Sequence, residues 1–365
     1  MGQFEMWPYW LLFLLPAWLA VTRLRSVQGQ TIRWSSYWQF TFVLLVLMIG
    51  LRHEVGGDWG NDWGLYGRTV SSGSDVPLLE ALKVGDPGYS LLMWILELTG
   101  LGLYTLDVVS AVPFSLGLLV FCRAQPRPWL ALTVAVPYLV IVVAMGYTRQ
   151  SVAIGFSMLG LAALSQGGVV RFVLLLALAA TFHKSAVILL PLAVLAGSRR
   201  PIFVAFWVGV STLVLFVLLL QDSVDALVTN YIGAQYNSQG AGIRIAMNAT
   251  PAIIFLWFRR RFIMPQSEQN FWTWMSLGAL AFIGLLAISP SSTAVDRVAL
   301  YWIPLQLFVL SRFPDAMGRK GQKNATWVYA VVAYSAAIEF VWLFYAQTAF
   351  AWLPYQFYPL VWLWQ

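Results

Sequence analysis

The sequence predicts an all-α polytopic membrane protein, and three observations carry that prediction. Of its 365 residues, 60% are hydrophobic and only 10% are charged, with a mean hydropathy of +0.73, whereas soluble domains carry about 25% charged residues. Apolar stretches of about 15–20 residues recur along the whole chain, and each can cross or nearly cross a hydrocarbon core as a helix. Tryptophans such as Trp7, Trp34 and Trp352 stand at the ends of these stretches, where interfacial belts form. We therefore treat residues 1–365 as a single integral membrane domain.

In chain order, the apolar segments predict roughly 10–13 transmembrane or re-entrant helices. The clearest of them span residues 6–22, 37–51, 105–122, 128–146, 149–165, 202–220, 243–258, 270–289, 296–311 and 324–345. The segment "YSLLMWILELTGLGLY" is expected to be short, re-entrant or interfacial. The segment "RFVLLLALAATFHKSAVILLPLAVLAGSRR" is too short to cross comfortably twice at 1.5 Å per residue, so we expect a broken helix pair that meets at His183.

The distribution of basic residues predicts the orientation of these helices. The positive-inside rule places 312–323 as a cytoplasmic loop and 52–87 and 221–245 as outer-face loops. The net charge of +7 is scattered between hydrophobic runs, which indicates topology determinants and no nucleic-acid partner. A single cysteine excludes an intrachain disulfide, and no HExxH, Gly-x-Ser-x-Gly or phosphate-binding loop motif is present.

Four cations on the predicted outer face are candidate ligands for a diphosphate. Charges within or beside membrane segments are costly and by default functional, although an arginine at a helix end can also extend to the lipid headgroups. Guanidinium stays charged and binds phosphate oxygens bidentately, so it can neutralise a pyrophosphate leaving group without a metal. The candidates are Arg149, Arg244 and Arg297, with Lys184 as a weaker point charge.

The stretch "RHEVGGDWGNDWGLYGRTV", residues 52–70, interrupts the apolar chain with acids, glycines and tryptophans. Its glycines disfavour a helix, so we expect a tight outer-face loop that presents a carboxylate for proton transfer and aromatic rings that stack on sugars. The candidate bases are Asp58 and Asp62, with His183 as their competitor, and the candidate sugar-binding residues are Trp59, Trp63 and Tyr66. Two alternatives remain open, a metal site built on Glu54, Asp58 and Asp62, and a plain solvated loop.

Several short motifs, in order and spacing, resemble those of the EpsG-like branch of the Wzy-type polysaccharide polymerases. They are "LRHEVGGDW", "DPGYSLL" with Tyr89, "YTRQSVAIGFSMLGL", "ATFHKSAVILLPL", "GAGIR", "DRVALYW" and "LPYQF". One departure stands out, because the family pattern resembles an aspartate followed four residues later by tyrosine. Here Asp58 is followed by Asp62 at that place, and Tyr66 comes four residues after Asp62, which leaves open which acid has the family role.

The resemblance implies a GT-C-like bundle in the bacterial inner membrane, with an active site facing the periplasm or exterior. It implies a glycosyltransferase that moves a glycan from undecaprenyl pyrophosphate onto the terminal sugar of another lipid-linked repeat unit. The candidate arginines lead us to expect no metal cofactor. Tyr89 joins the sugar-binding candidates through its motif. The expected partners are the lipid-linked oligosaccharide and the bilayer, with a chain-length regulator protein as a further candidate. The alternatives are an O-antigen-ligase-like enzyme, a single-sugar transferase and a flippase.

Overall fold

The computed structural model describes residues 6–24, 34–70, 77–99, 102–192, 206, 209–210, 213–214, 238, 240–319 and 322–363. Within these residues the secondary structure is helical, with one isolated β-bridge between Arg52 and Phe357. The α-helices are α1 (Trp7–Thr22), α2 (Ser36–Gly50), α3 (Trp59–Val70), α4 (Leu78–Ala81), α5 (Pro87–Leu98), α6 (Gly102–Arg123), α7 (Pro128–Ala135), α8 (Thr148–Ser165), α9 (Val169–Phe182), α10 (Ala241–Phe258), α11 (Gln266–Ile288), α12 (Ser292–Ala299), α13 (Ile303–Met317), α14 (Ala325–Tyr345) and α15 (Tyr358–Leu363). A π-helix, Val136–Ala144, continues α7, and 3₁₀ turns cover Lys184–Leu189, Arg259–Arg261, Leu300–Trp302 and Ala349–Ala351.

This architecture confirms the all-α polytopic membrane fold. Five helical stretches of the described chain are long and apolar enough to cross a membrane, and four shorter apolar helices accompany them. The long stretches are Gly102–Arg123, Ala241–Arg261, Gln266–Ile288, Ser292–Met317 and Ala325–Tyr345. The helix predicted at 202–220 and most of the predicted outer-face loop 221–245 lie outside the described residues.

The two irregular apolar segments have the expected forms. Helix α5 has 12 residues and is therefore about 18 Å long, well short of a ~30 Å hydrocarbon core. Helix α9 ends at Phe182, His183 adopts an extended backbone, and a 3₁₀ turn begins at Lys184. The predicted break at His183 is thus confirmed, while the continuation of the second half of the expected helix pair, after residue 192, lies outside the described residues. The predicted cytoplasmic loop 312–323 is partly helical, because α13 continues to Met317.

The centre of the bundle is formed by α6, α8 and α9, which pack against one another in chain order, while α2 covers α6 and α10 packs on α11 and α13. Helices α6 and α8 approach closely at Gly117 and Gly155, since a Cβ on Gly117 would lie 2.0 Å from the carbonyl oxygen of Gly155. Small residues of this kind allow membrane helices to pack backbone against backbone. A smaller core beneath α3 and α5 contains Leu65, Tyr89 and Met93.

Charged networks mark the two ends of the bundle. At one end the buried Arg127 binds Asp315 through two hydrogen bonds of 3.1 and 2.7 Å, and it also donates to the carbonyl oxygens of Leu24 and Lys323. This network ties the ends of α1 and α13 to the start of α7 and to Lys323, two residues before α14. Helix α6, about 33 Å long, runs from this end to the opposite one, where the candidate residues lie.

The C-terminal segment after α14 holds the chain that leads into α3. Backbone hydrogen bonds of 2.7–2.9 Å join His53 to Gln356, Tyr358 to Leu51 and Gly56 to Ala351. The indole of Trp352 donates to the carbonyl oxygen of Ile141 in the π-helix at 2.9 Å. Residues more than 200 positions apart therefore fix the same end of the bundle, and they position Asp58.

Candidate active site

The N-terminal turn of α8 stands at the centre of the candidate site. The sequence places Thr148, Arg149 and Gln150 there, and each bonds to a different neighbouring segment. Tyr147 precedes the helix, and its ring lies under the guanidinium of Arg297, whose Cζ is 3.8 Å from the ring centroid. This turn therefore links the chain around α3, the start of α5 and helix α12 into one site.

Arg149 is paired with Asp86. Its Nη1 donates to Oδ2 of Asp86 at 3.2 Å, and the arginine side chain keeps 32% of its surface exposed whereas the aspartate keeps 11%. Asp86 precedes α5. Burial raises the pKa of Asp86, while the charges of Arg149 and Lys184 oppose that rise. The pair thus brings two of the predicted cations, Arg149 and Lys184, close to one carboxylate.

Arg297 makes the longest of the four arginine–aspartate contacts at this end of the bundle. Its Nη2 lies 3.8 Å from Oδ1 of Asp58, with side chains 27% and 21% exposed. Gln150 holds the arginine from behind, because its Nε2 donates to the Arg297 carbonyl oxygen at 2.6 Å and its Oε1 accepts from Nη1 at 3.4 Å. Gln150 therefore fixes the position of Arg297, and part of the guanidinium remains exposed beside Asp58.

Arg244 is held more tightly. Its Nε and Nη2 donate to the two carboxylate oxygens of Asp296 at 2.7 and 2.6 Å, and Nη2 also donates to Ser238. Only 16% of the arginine and 8% of the aspartate are exposed. This bidentate pair joins the first turn of α10 to α12 and fixes the direction of the guanidinium. Asp296, adjacent in sequence to Arg297, is thus the ion-pair partner of Arg244.

The prediction of a loop at the acidic stretch is wrong from Trp59 onward, because α3 begins there. The tight, non-helical part is confined to the residues before it, where Gly56 has φ +110° and a Cβ would meet the Met145 carbonyl oxygen at 2.0 Å. In α3, by contrast, a Cβ on Gly60 would contact nothing within 4 Å. The packing around α3 therefore does not require a glycine at position 60, although glycine disfavours the helix.

Asp62 and Asp58 occupy adjacent turns but different surroundings. Asp62 is 3% exposed, and its Oδ2 accepts a 2.8 Å hydrogen bond from the hydroxyl of Thr148. Thr148 also accepts at 2.7 Å from Arg52, a fully buried arginine 3.4 Å from Asp107. Burial and the charge of Asp58 raise the pKa of Asp62 to about 6. Asp62 therefore belongs to a buried network, while Asp58 lies nearer the surface.

His183 lies at the helix break with its ring against two hydroxyl groups. Its Nδ1 is 2.6 Å from Oγ of Ser185 and 3.4 Å from the hydroxyl oxygen of Tyr301. The charges of Arg149, Arg297 and Lys184 all act on the ring. The structure therefore brings this candidate base into the same cluster as the predicted cations.

The predicted sugar-binding residues divide between surface and core. The half-buried Trp59 lies 6.0 Å from the ring of His53 and 5.9 Å from that of Tyr104, which stacks on Tyr358 at 3.6 Å. The hydroxyl of Tyr66 donates to Glu97, and burial with this contact raises the pKa of Tyr66 to about 12. The side chain of Trp63 lies outside the described part of the chain.

Tyr89 does not fit the role predicted for it. The side chain is fully buried in the core beneath α3 and α5, and its hydroxyl has no hydrogen-bond partner among the described residues. A ring enclosed on all sides cannot stack on a glycan, so Tyr89 is a packing residue in this conformation.

The metal alternative required three carboxylates on one helical face. Glu54 and Asp58 precede α3, and Glu54 has φ +53°, so the spacing of four residues does not stack them. Within the described ranges, no group of three or more histidine, cysteine, aspartate or glutamate side chains is placed to hold a metal ion.

Residues that the sequence reasoning left without a role complete the site. They are Arg52, His53, Asp86, Tyr104, Asp107, Tyr147, Thr148, Gln150 and Tyr358. Asp86 and Asp107 had a usable signal, because an acid at the edge of an apolar segment requires a counter-charge. Tyr104 and Tyr358 had none, since their contact joins positions far apart in the chain.

Comparison with known proteins gives one match. The model described as the EpsG family matches residues 36–357, a range that runs from the start of α2 to the residue before α15. No curated protein and no solved structure shows a significant match to the chain. The matched range contains each arginine, aspartate and histidine of the site described above.

Proposed function

The chain belongs to the EpsG family, and on that premise we propose that it is a polysaccharide polymerase with a lipid-pyrophosphate-linked glycan as its donor. Family membership indicates a glycosyltransferase-like polymerase of polysaccharide biosynthesis in a multi-pass membrane protein. The finer proposal is that the enzyme transfers a growing O-antigen, capsule or exopolysaccharide chain from undecaprenyl pyrophosphate onto a second lipid-linked repeat unit. It works at the outer face of the bacterial inner membrane and needs no metal.

One observation carries this proposal, the convergence of three partly exposed arginine–aspartate pairs at the end of the bundle that also holds the buried pair Arg52–Asp107. The pairs are Arg149 with Asp86, Arg244 with Asp296 and Arg297 with Asp58. A diphosphate carries more charge than a carboxylate and accepts bidentate hydrogen bonds from guanidinium. It can therefore compete with these aspartates for the arginines.

The differences among the pairs suggest different roles. Arg149 and Arg297 are the more exposed, at 32% and 27%, and each meets its aspartate through a single contact. We assign these two to direct contact with the donor diphosphate. Arg244 is locked by both oxygens of Asp296, so we assign it to the electrostatic field that stabilises the departing charge.

The same comparison favours Asp58 over the other candidate bases. Its partner Arg297 is 3.8 Å away, and a diphosphate that binds Arg297 frees the carboxylate. Asp62 is committed to Thr148. The ring of His183 is held at Nδ1 by Ser185 and is surrounded by the charges of Arg149, Arg297 and Lys184, so a proton accepted there would add a further positive charge to a cationic cluster. Asp58 is therefore the group that we expect to accept a proton, with Asp62 as a positioning residue beneath it.

In the proposed reaction the acceptor hydroxyl oxygen attacks the anomeric carbon of the donor glycan. The bond from that carbon to the pyrophosphate oxygen breaks, and its electron pair leaves with the lipid pyrophosphate, whose growing charge Arg149 and Arg297 neutralise. The hydroxyl proton passes to Asp58. The products are a glycan longer by one repeat unit and free undecaprenyl pyrophosphate.

Product length tests this function against its alternatives. Purified protein in proteoliposomes receives lipid-pyrophosphate-linked repeat units, and the products are separated by size. A ladder of multiples is expected. A single transfer to another acceptor would indicate a ligase-like or single-sugar transferase, and movement of unextended units across the bilayer would indicate a flippase. Arg171→Ala alters an exposed arginine at the start of α9, outside the candidate site. It should retain the ladder and is the matched control for arginine-to-alanine variants of the site.

A further inference from the structure

A basic cavity lies at the end of the bundle opposite the candidate active site, where α10 is followed by α11. Its volume is about 390 Å³, within the range of about 300–1,000 Å³ that is common for ligand sites. It is lined by Arg259, Arg260, Gln266, Gln269, Asn270, Thr273, Trp274 and Leu277. The 3₁₀ turn Arg259–Arg261 and the first two turns of α11 supply most of these side chains.

The arginines of this cavity differ from the neighbouring Arg312 in their ion pairing. Arg312 pairs with Glu268 at 3.3 Å, whereas Arg259 and Arg260 form no ion pair with an acid of the described chain. The amide of Gln269 donates to the Arg259 carbonyl oxygen at 3.0 Å, which holds the basic turn against α11. Two exposed guanidinium groups beside amide side chains have the hydrogen-bond donors that a phosphate group requires.

The lining changes from polar to apolar along α11. Gln266, Asn270 and Thr273 come first, and Trp274 and Leu277 follow at 50% and 43% exposure. On α10 the apolar surface precedes the basic turn, and Trp257 there is 80% exposed. A soluble phosphate makes no use of exposed apolar surface next to its site. A phospholipid does, because its phosphate, glycerol esters and acyl chains follow one another in that order.

We propose that this cavity binds the headgroup of an anionic phospholipid, with the acyl chains along the exposed apolar face of α10 and α11. Basic pockets between membrane helices are known to bind acidic headgroups, and indole rings such as that of Trp274, which lines the cavity, favour the membrane interface. Arg244 lies in the first turn of α10, at its other end. A lipid bound here therefore braces the helix that carries one arginine of the candidate active site.

The test is a binding measurement that does not depend on enzymatic activity. Delipidated protein in neutral detergent is titrated with dihexanoyl-phosphatidylglycerol and, separately, dihexanoyl-phosphatidylcholine, and bound lipid is counted by native mass spectrometry. We expect saturable binding of the phosphatidylglycerol alone. The double variant Arg259→Gln/Arg260→Gln should bind it about 30-fold more weakly, the scale set by two juxtamembrane charges.

The single variants Arg260→Gln and Arg261→Gln form a matched pair, because each removes one charge from the same basic turn. Arg260→Gln should weaken binding about fivefold, the scale of one juxtamembrane charge. Arg261 lies over the ring of Phe258 at 5.5 Å and does not line the cavity, so Arg261→Gln should bind as the wild type does. Equal losses in Arg260→Gln and Arg261→Gln would indicate unspecific charge attraction and overturn the proposal. Displacement of the lipid by equimolar inorganic phosphate would also overturn it, since that would indicate a soluble anion site.

A second variant covers the case in which the double variant does not fold. Asn270→Asp places a negative charge in the cavity near the start of α11, where an acid favours the helix. It should keep the thermal midpoint of the wild type and still weaken phosphatidylglycerol binding. Unchanged binding in this folded variant would contradict the proposed position of the headgroup.

Discussion

The substitution Gly56→Ala, compared with Gly60→Ala, tests whether the segment before α3 is held as tightly as the structure indicates. At Gly56 the backbone has φ +110°, and the added Cβ would lie 2.0 Å from the Met145 carbonyl oxygen. The left-handed conformation alone costs about 1–2 kcal/mol for a residue with a side chain, and the overpacking adds about 1–3 kcal/mol. The expected loss of unfolding free energy is therefore about 2–5 kcal/mol, a large share of the 5–15 kcal/mol typical of proteins.

Gly60 provides the opposite expectation only four residues later. It lies in α3, and a Cβ added there would have no neighbouring atom within 4 Å. Alanine at this position should stabilise the protein by about 0.5–1 kcal/mol, because glycine is the poorer helix former. Thermal unfolding of both variants in the same detergent, followed by tryptophan fluorescence, gives the two shifts side by side. Equal midpoints for Gly56→Ala and the wild type would refute the tight segment, and with it the fixed position of Asp58.

Three further predictions follow from single groups of the structure. The pKa of Asp62 is raised to about 6 from an ordinary 3.8, so folding favours the protonated carboxyl. The resulting stabilisation is complete below about pH 4 and is lost as the pH rises through 6. Between pH 4 and 7 the thermal midpoint of Asp62→Asn should therefore fall less than that of the wild type. Glu339 is fully buried in α14 and neither carboxylate oxygen has a hydrogen-bond partner among the described residues, so Glu339→Met should raise the unfolding free energy by about 1–3 kcal/mol in a denaturation assay, and a destabilised variant would contradict this. Arg244→Lys cannot reproduce the two parallel bonds to Asp296, so it should slow chain extension at least tenfold. It should also lower the thermal midpoint, because one oxygen of the buried carboxylate loses its partner. Full activity would remove Arg244 from the site.

The fold class was predictable from the sequence because it rests on composition and on the length of apolar runs. The start of α8 beside Arg149 and the break at His183 were also predictable, since a charge in an apolar run marks an end or an interruption. Helix α3 was not, because three glycines outweigh the other residues when local propensity alone is considered. The structure favours the helix there through the contact of Asp62 with Thr148 and the packing of Leu65 on the small core.

The membership of the site was predictable to a lesser degree. Sequence reasoning selected the three arginines by their position on one predicted face, and the structure brings them to one end of the bundle. It did not pair them with their aspartates, because Asp86, Asp58 and Asp296 are 63, 239 and 52 residues from their partners by position in the chain. Long-range pairing depends on how the helices pack, which no local pattern records.

The central claim is that arginines bind the donor pyrophosphate and that no divalent cation is required. The most direct measurement is chain extension by the wild type, Arg149→Ala, Arg297→Ala and the control Arg171→Ala, with purified lipid-pyrophosphate-linked repeat units in excess EDTA. We predict a full ladder from the wild type and the control, and extension reduced at least a hundredfold in both other variants, a scale typical of lost transition-state donors. Full ladders from Arg149→Ala and Arg297→Ala, or wild-type activity that EDTA abolishes and magnesium restores, would contradict the account.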